Sequence, residues 1–344
     1  MKNRKISFYY CLVSGFFCLC MLSSCNKITE KDMCDPLYNY DELWRILDER
    51  YCYFEYKRIP WDSLYGVYRS KVGRATSTEE VFDIYCQLMA HLKDGHVNLY
   101  ATFDVGRYWN WFLDYPRNFS EDVLDRYYLK NDFRMAASLK YLKMGPNKEV
   151  GYIRYANFSA NFGEANLNQV LSYFQSCKGL IIDIRENGGG DLTLASKLAS
   201  RFTEKSVLYG YIMHKTGKGH HDFSDPEPRW LNPSPYIRWI KPVVLLTNRY
   251  VFSTGNDFAC MMKELPMVTL IGDSTGGGGG MPLNSELPCG WVFRYSAIPM
   301  LDANKAHTEA GIAPDIKISM DTNALRLGKD SMIDYALHFI MQQE

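Results

Sequence analysis

The chain has 344 residues, 47% of them hydrophobic and 15% aromatic, with 39 Lys and Arg set against 39 Asp and Glu. A chain of this length can bury a sizeable core, in one large domain or two modest ones. The even charge balance excludes the basic footprint of a nucleic-acid binder, and it selects no charged partner.

At the N-terminus Lys2, Arg4 and Lys5 precede an apolar run over residues 6–22 that Ser7, Ser14 and Gly15 interrupt. This is the pattern of an export signal. A membrane span would need roughly 20 continuous apolar residues, more than this run supplies. The run ends in Leu22-Ser23-Ser24-Cys25, which resembles a bacterial lipobox. Residues 1–24 are therefore expected to be a lipoprotein signal peptide, with Cys25 acylated and residues 25–34 acting as a tether. The expected location is the cell envelope, on a membrane through the lipid, facing the periplasm or the cell exterior. Six cysteines follow the anchor, Cys34, Cys52, Cys86, Cys177, Cys260 and Cys289, without the spacing of a zinc site. No metal and no other cofactor is expected.

Residues 38–51 and 61–72 carry helical spacing. A third helix opens with Ser77 and Glu80 as a capping box and places Val81, Ile84, Tyr85, Leu88, Met89 and Leu92 on one face. Residues 35–100 read as a helical bundle that closes at Asp94-Gly95-His96, a turn leaving a histidine just beyond a helix. Residues 101–148 form a connecting segment. Within it VGRYWNWFLDYPRNF, residues 105–119, concentrates six aromatics. This cluster reads as a wedge filling a seam, with the lining of an apolar peptide site or a sugar platform as alternatives.

From residue 149 to 344 short apolar runs alternate with helical patterns: GYIRYANF, GLIIDIR, VLYGYIM, PVVLLTN and VTLIGD are the strands. Repeated strand-turn-helix units make an α/β domain. Two glycine turns stand out. Residues 276–280 are five consecutive glycines, but no lysine lies between Lys263 and Lys305, so a phosphate-binding P-loop is excluded, and the GxGxxG dinucleotide pattern also fails. They read as a mobile loop or a flexible rim beside a cleft. The second turn, Asn187-Gly188-Gly189-Gly190, follows a buried strand and precedes a helix, where bare N–H groups can face an oxyanion. Ser253 lies where an apolar strand passes into a helix. It is either an ordinary helix cap or a nucleophile presented at the sheet edge. The lipase-type GxSxG is absent, since Val251 takes the place of its first glycine.

Taken together, IIDIRENGGGD, VVLLTNRYVFSTGNDFA, LIGDSTGG, EAGIAPDIKI and LKDGHVNL resemble the motifs of the C-terminal processing (tail-specific) serine peptidase family, which also includes the tricorn protease core. The resemblance implies a crotonase-like α/β core behind an N-terminal helical bundle. It implies Ser253 as nucleophile, with the Thr254 and Gly189 N–H groups as oxyanion hole. Gly278 occupies the approximate place of the lysine base that many members use, so the implied base is His96, oriented by Glu309, as in the tricorn-like branch. An ordinary imidazole would titrate near 6.5. His307, Asp302 and Asp315 are nearby substitutes, and His220-His221 read as a solvated loop. Asn256 stands where the family often has Glu, and the span before the core is too short for a peptide-binding PDZ module. The expected partner is a peptide or protein substrate, the activity serine-type hydrolysis. The alternative is an inactive binding protein for a peptide, lipid-like or sugar ligand on the same fold.

Overall fold

The computed structural model describes Met33 and residues 35–343. The export signal, Cys25 and Cys34 lie outside the described residues. The first part is helical, as its periodicity requires: Pro36–Arg50, Trp61–Arg69 and Thr78–Ala90 are the longer helices. Both halves of the Ser77/Glu80 capping box form. Their apolar faces meet around Tyr40, Leu43, Leu47, Phe82, Tyr85 and Leu88.

This bundle does not stand alone. The chain leaves it through β1 (Asn98–Tyr100) and β2 (Val105–Arg107). β3 (Arg134–Ala136), β4 (Leu139–Met144), β5 (Val150–Arg154), β6 (Gly179–Asp183), β7 (Val207–Ile212), β8 (Glu227–Leu231), β9 (Val243–Thr247) and β10 (Val268–Gly272) follow. β11 (Gly280–Glu286), β12 (Val292–Asp302) and the short β13 (Ile316–Lys317) complete two sheets. The larger has the order β13-β10-β9-β6-β5-β4-β3, with β5, β6, β9, β10 and β13 parallel. Every residue of β5, β6 and β9 is buried, as expected for parallel strands covered on both faces. The other sheet has the order β2-β1-β12-β7-β8, with β11 also on β12, and is antiparallel.

Two expectations are refined here. VLYGYIM is a strand, but it lies in the antiparallel sheet rather than among the parallel strands. Its side chains alternate in the same way in either sheet, so the pattern could not choose. The bundle and the late strands also share one core, because Leu99 of β1 packs with Phe293, Tyr295 and Ala297 of β12.

The motif IIDIRENGGGD owes its acidic and basic residues to packing. Arg185, fully buried, binds both Asp183 oxygens (2.6 and 3.0 Å) and both Asp330 oxygens (2.8 and 3.0 Å). Asp183 also accepts the Tyr152 hydroxyl at 2.8 Å. Burial opposes the charge on Asp183, yet Arg185 and Arg154 hold its carboxyl below the usual range. Asp330 in turn caps the last helix, Ser331–Gln342, whose Met332, Ile333, Ala336 and Ile340 cover one face of the parallel sheet. The ion pairs thus fix the strand end that leads into the glycine turn. Arg185→Met leaves buried Asp330 without its cation and Asp183 with only Arg154, 3.9 Å away, and is expected to lower the unfolding free energy by about 3–5 kcal/mol, measured by urea denaturation.

Candidate active site

Ser253 occupies the N-cap place of the helix Thr254–Lys263, yet its side chain caps nothing. Its backbone has φ 56° and ψ −121°, a conformation that non-glycine residues rarely adopt and that costs on the order of 1–3 kcal/mol. Neighbouring turns impose it. The Ser253 N–H donates to Gly277 O at 2.9 Å, and the Phe252 N–H donates to Asn187 O at 3.0 Å. Held this way, the hydroxyl turns from the helix to another partner: Ser253 Oγ lies 2.9 Å from His96 Nε2.

His96 comes from the turn after the helix Thr78–Ala90. Asp94 Oδ1 accepts the His96 N–H at 2.8 Å and fixes the turn through its side chain. The ring packs on Phe252, 4.7 Å between centroids, and only 3% of the residue is exposed. Burial pushes the imidazole down to about 4; Asp94 partly offsets this, while Arg294 and Lys57 press the same way as burial. His96 is therefore neutral at pH 7, able to accept a proton.

Glu309 does not hold the ring directly. Its Oε1 is 2.7 Å from Lys57 Nζ and its Oε2 accepts the Gly279 N–H at 2.9 Å. His96 Nδ1, also buried, has no hydrogen-bond partner among the described residues. The expected His96–Glu309 bond is thus replaced by a buried cluster in which Lys57 sits between Glu309 and Asp94, 3.5 Å from Asp94 Oδ2. Tyr51 donates to the same Asp94 oxygen at 3.0 Å. Burial, then Asp94, pushes the Glu309 carboxyl up to about 8 against the pull of Lys57. Burial opposes the Asp94 charge too, but Lys57 and His96 hold its carboxyl below the ordinary value. Asp94 is therefore the anion beside the imidazole. Of the substitutes, His307 packs on Tyr53 and Tyr56, and Asp315 binds Lys263. His220 bonds Asp48 and stacks on Phe54.

The two glycine turns do meet. A Cβ on Gly189 would lie 2.9 Å from Ser253 Cβ and 2.8 Å from Thr254 N, so the turn faces the serine. The Gly189 N–H, however, donates to Asn187 Oδ1 at 3.0 Å, and that donor is not free as expected. Thr254 opens the helix, where its N–H has no carbonyl to meet inside the helix. Its hydroxyl donates to Gly190 O at 2.6 Å and ties the two turns together.

Residues 276–280 are buried, not a mobile loop or an open rim. A Cβ on Gly277 would overlap Glu309 O at 1.8 Å, and one on Gly278 would strike the Phe252 ring at 2.5 Å. Gly278 has φ 76°, so a lysine there would need both a different backbone and a vacated ring site. Asn256 is structural: it donates to Thr308 O at 3.1 Å and accepts the Thr275 hydroxyl at 2.6 Å.

A cleft of about 530 Å³ opens over Ser253, bounded by Gly188–Gly190, His96, Tyr108, Trp109 and Trp111. The aromatic segment therefore serves two ends. Trp111 stacks on Phe252 at 4.3 Å as a wedge, while Trp109, 43% exposed, forms a wall of the cleft. Sequence reasoning passed over Lys57, which lies in no motif, and gave Asp94 no role although it stands inside one.

With this geometry in place, comparison with known proteins identifies the fold and its lineage. The sequence profile of Peptidase family S41 matches residues 149–318, and that of the Tricorn protease C1 domain matches residues 35–90. The tricorn protease of Thermoplasma acidophilum is 26% identical over 234 residues, 66% of this chain and 20% of that protein. The match thus spans about a fifth of the length of the tricorn-type relatives and 37% or less of the other curated relatives. A crystal structure from Parabacteroides merdae assigned as a peptidase is 44% identical, covers 90% of this chain and 98% of its own, and superposes with a TM-score of 0.87. Mature CPAF, 13% identical with a TM-score of 0.68 over 90% of this chain and 98% of its own, shares the fold. The chain belongs to peptidase family S41, the C-terminal processing serine peptidases.

Proposed function

We propose that this protein hydrolyses peptide bonds with Ser253 as nucleophile and His96 as its base. The observation that carries this reading is the 2.9 Å contact between His96 Nε2 and a serine hydroxyl that its own helix leaves unused. As Oγ attacks the substrate carbonyl carbon, its proton passes to Nε2; the imidazolium then returns a proton to the leaving amine. Water enters by the same route to release the acyl group. The developing oxyanion lies toward Thr254 N–H and the 188–190 turn. Gly189 N–H serves there by letting go of Asn187, at the cost of one hydrogen bond. The buried Asp94 carboxylate stabilises the imidazolium, and Glu309 acts from behind through Lys57 rather than at Nδ1. The lipobox-like Leu22-Ser23-Ser24-Cys25 supports a lipid anchor at Cys25, which mass spectrometry of the membrane-extracted protein tests.

Ser253→Ala is expected to abolish labelling by a fluorophosphonate probe and turnover of a fluorogenic peptide, with circular dichroism unchanged. His96→Ala is expected to cost nearly as much, because the pair acts as a unit and the losses do not add. Labelling of Ser253→Ala equal to wild type would remove the serine from the reading.

The pH profile follows from burial. The base must be unprotonated, and its pKa is pushed down to about 4. With rising pH, kcat/KM of the free enzyme is expected to climb through that value and to be flat by pH 6 to 7, about two units above it. A limb centred near 6.5 would instead mark an imidazole of ordinary, hydrated character.

Asp94→Asn removes the anion and is expected to lower kcat with KM little changed, and to move the acidic limb lower still. Glu309→Gln is expected to act in kcat as well, since Glu309 borders the cluster and not the 530 Å³ cleft. Steady-state kinetics of both variants separate these effects from weakened substrate binding.

A further inference from the structure

The floor of the cleft is a strand surface whose register can be followed across the sheet. Asn98 of β1 lies opposite Arg107 of β2 on one side and Arg294 of β12 on the other. Directly opposed residues share a face of a sheet. Arg107, Asn98 and Arg294 therefore form one row, two residues on from His96, and all three line the same cavity as Ser253.

The charges of this cavity are one-sided. No carboxylate is among its lining residues. Neither Arg107 nor Arg294 forms an ion pair among the described residues, whereas the buried or half-buried Arg154, Arg185, Arg201 and Arg229 do. Arg107 rests its guanidinium on the Trp109 ring, 5.1 Å from the centroid, which orients it without neutralising it. Glu286 shares the face of Arg294 through its pairing with Val292, but it makes no salt bridge to it. Arg294 is also close enough to His96 for its charge to be felt there. The carboxyl groups near the site, Asp94 and Glu309, lie behind the histidine and are engaged by Lys57.

Two guanidinium groups left without a carboxylate at the mouth of one polar cleft offer a seat for an external anion, and their planar forks match a carboxylate. We propose that this cleft selects a carboxylate of the substrate, bound by Arg294 and Arg107 beside the Ser253 hydroxyl. The inference rests on reading the cleft as a peptidase site and adds its substrate class. An acidic side chain near the scissile bond and a free C-terminal carboxylate present the same chemistry, and the test separates them.

The experiment measures binding to the full-length Ser253→Ala protein by fluorescence anisotropy. The probes are short fluorescein-labelled peptides of alanine and leucine. Each carries one glutamate walked along its length or glutamine at the same place, with either a free or an amidated C-terminus. For at least one position the glutamate peptide is expected to bind about tenfold more tightly than its glutamine counterpart at low ionic strength, the worth of two partly exposed ion pairs. The advantage is expected to shrink with added salt. In the Arg107→Gln/Arg294→Gln background the ratio should fall towards one, and Arg294→Lys should restore part of it. An advantage that follows the free C-terminus and not the glutamate assigns the terminal carboxylate as source. Equal affinities for every member of the set, or a preference that survives the double substitution, overturns the proposal. Because binding is read without turnover, acidic selectivity in Ser253→Ala combined with a wild-type protein that neither labels nor cleaves would sink the peptidase reading alone.

Discussion

The site depends on one backbone constraint, the positive φ of Ser253. A serine at the mouth of a helix would ordinarily bend its hydroxyl to an N–H of the first turn. Here hydrogen bonds from Phe252 and Ser253 to Asn187 and Gly277 hold the residue in a conformation from which it does not cap. The hydroxyl is left for His96. The neighbouring glycines follow from this. Gly189, Gly190, Gly277 and Gly278 all have positive φ, and an added Cβ at any of them would meet backbone or a ring within 3 Å. The strain is affordable because the surroundings are buried, and a helix with nine buried residues anchors the turn from behind.

A second layer of control is electrostatic. The imidazole lies between the Asp94 carboxylate on its inner side and the Arg294 guanidinium on its outer side. Asp94, Lys57 and Glu309 form a buried cluster behind it, and Arg294 stands on the strand in front. Desolvation keeps the ring neutral, and Asp94 is placed to favour the imidazolium once a proton arrives. A separate buried set, Asp183, Arg185 and Asp330, sets the strand end from which the glycine turn departs.

Much of this was legible because it is local. The two glycine turns, the serine between strand and helix, and the histidine after an amphipathic helix are each written within a few residues, and the family resemblance joins them. The direct Glu309–His96 bond was not delivered, because the competitor for the carboxylate, Lys57, lies 252 residues away and belongs to no motif. The five glycines read as flexible since composition reports freedom of the chain, whereas their burial arises from Glu309, Phe252 and Trp111 folding onto them. Arg107 and Arg294 look in sequence like any strand charges; only the register beside Asn98 puts them in one row.

The pairing of β1 with β12 has a consequence for the order of assembly. His96 and Ser253, whose side chains meet, are 157 positions apart in the chain. The strand that leads away from His96 has β12, residues 292–302, as a sheet neighbour. During synthesis from the N-terminus the histidine turn is made early, yet the sheet that seats it cannot close until more than four-fifths of the chain exists. Such distant contacts also form slowly, since a long loop must be closed before any pairing stabilises it. A partly made or partly threaded chain thus carries the serine and the histidine on unconnected surfaces. The topology itself thus delays the meeting of Ser253 and His96 until the fold is nearly complete.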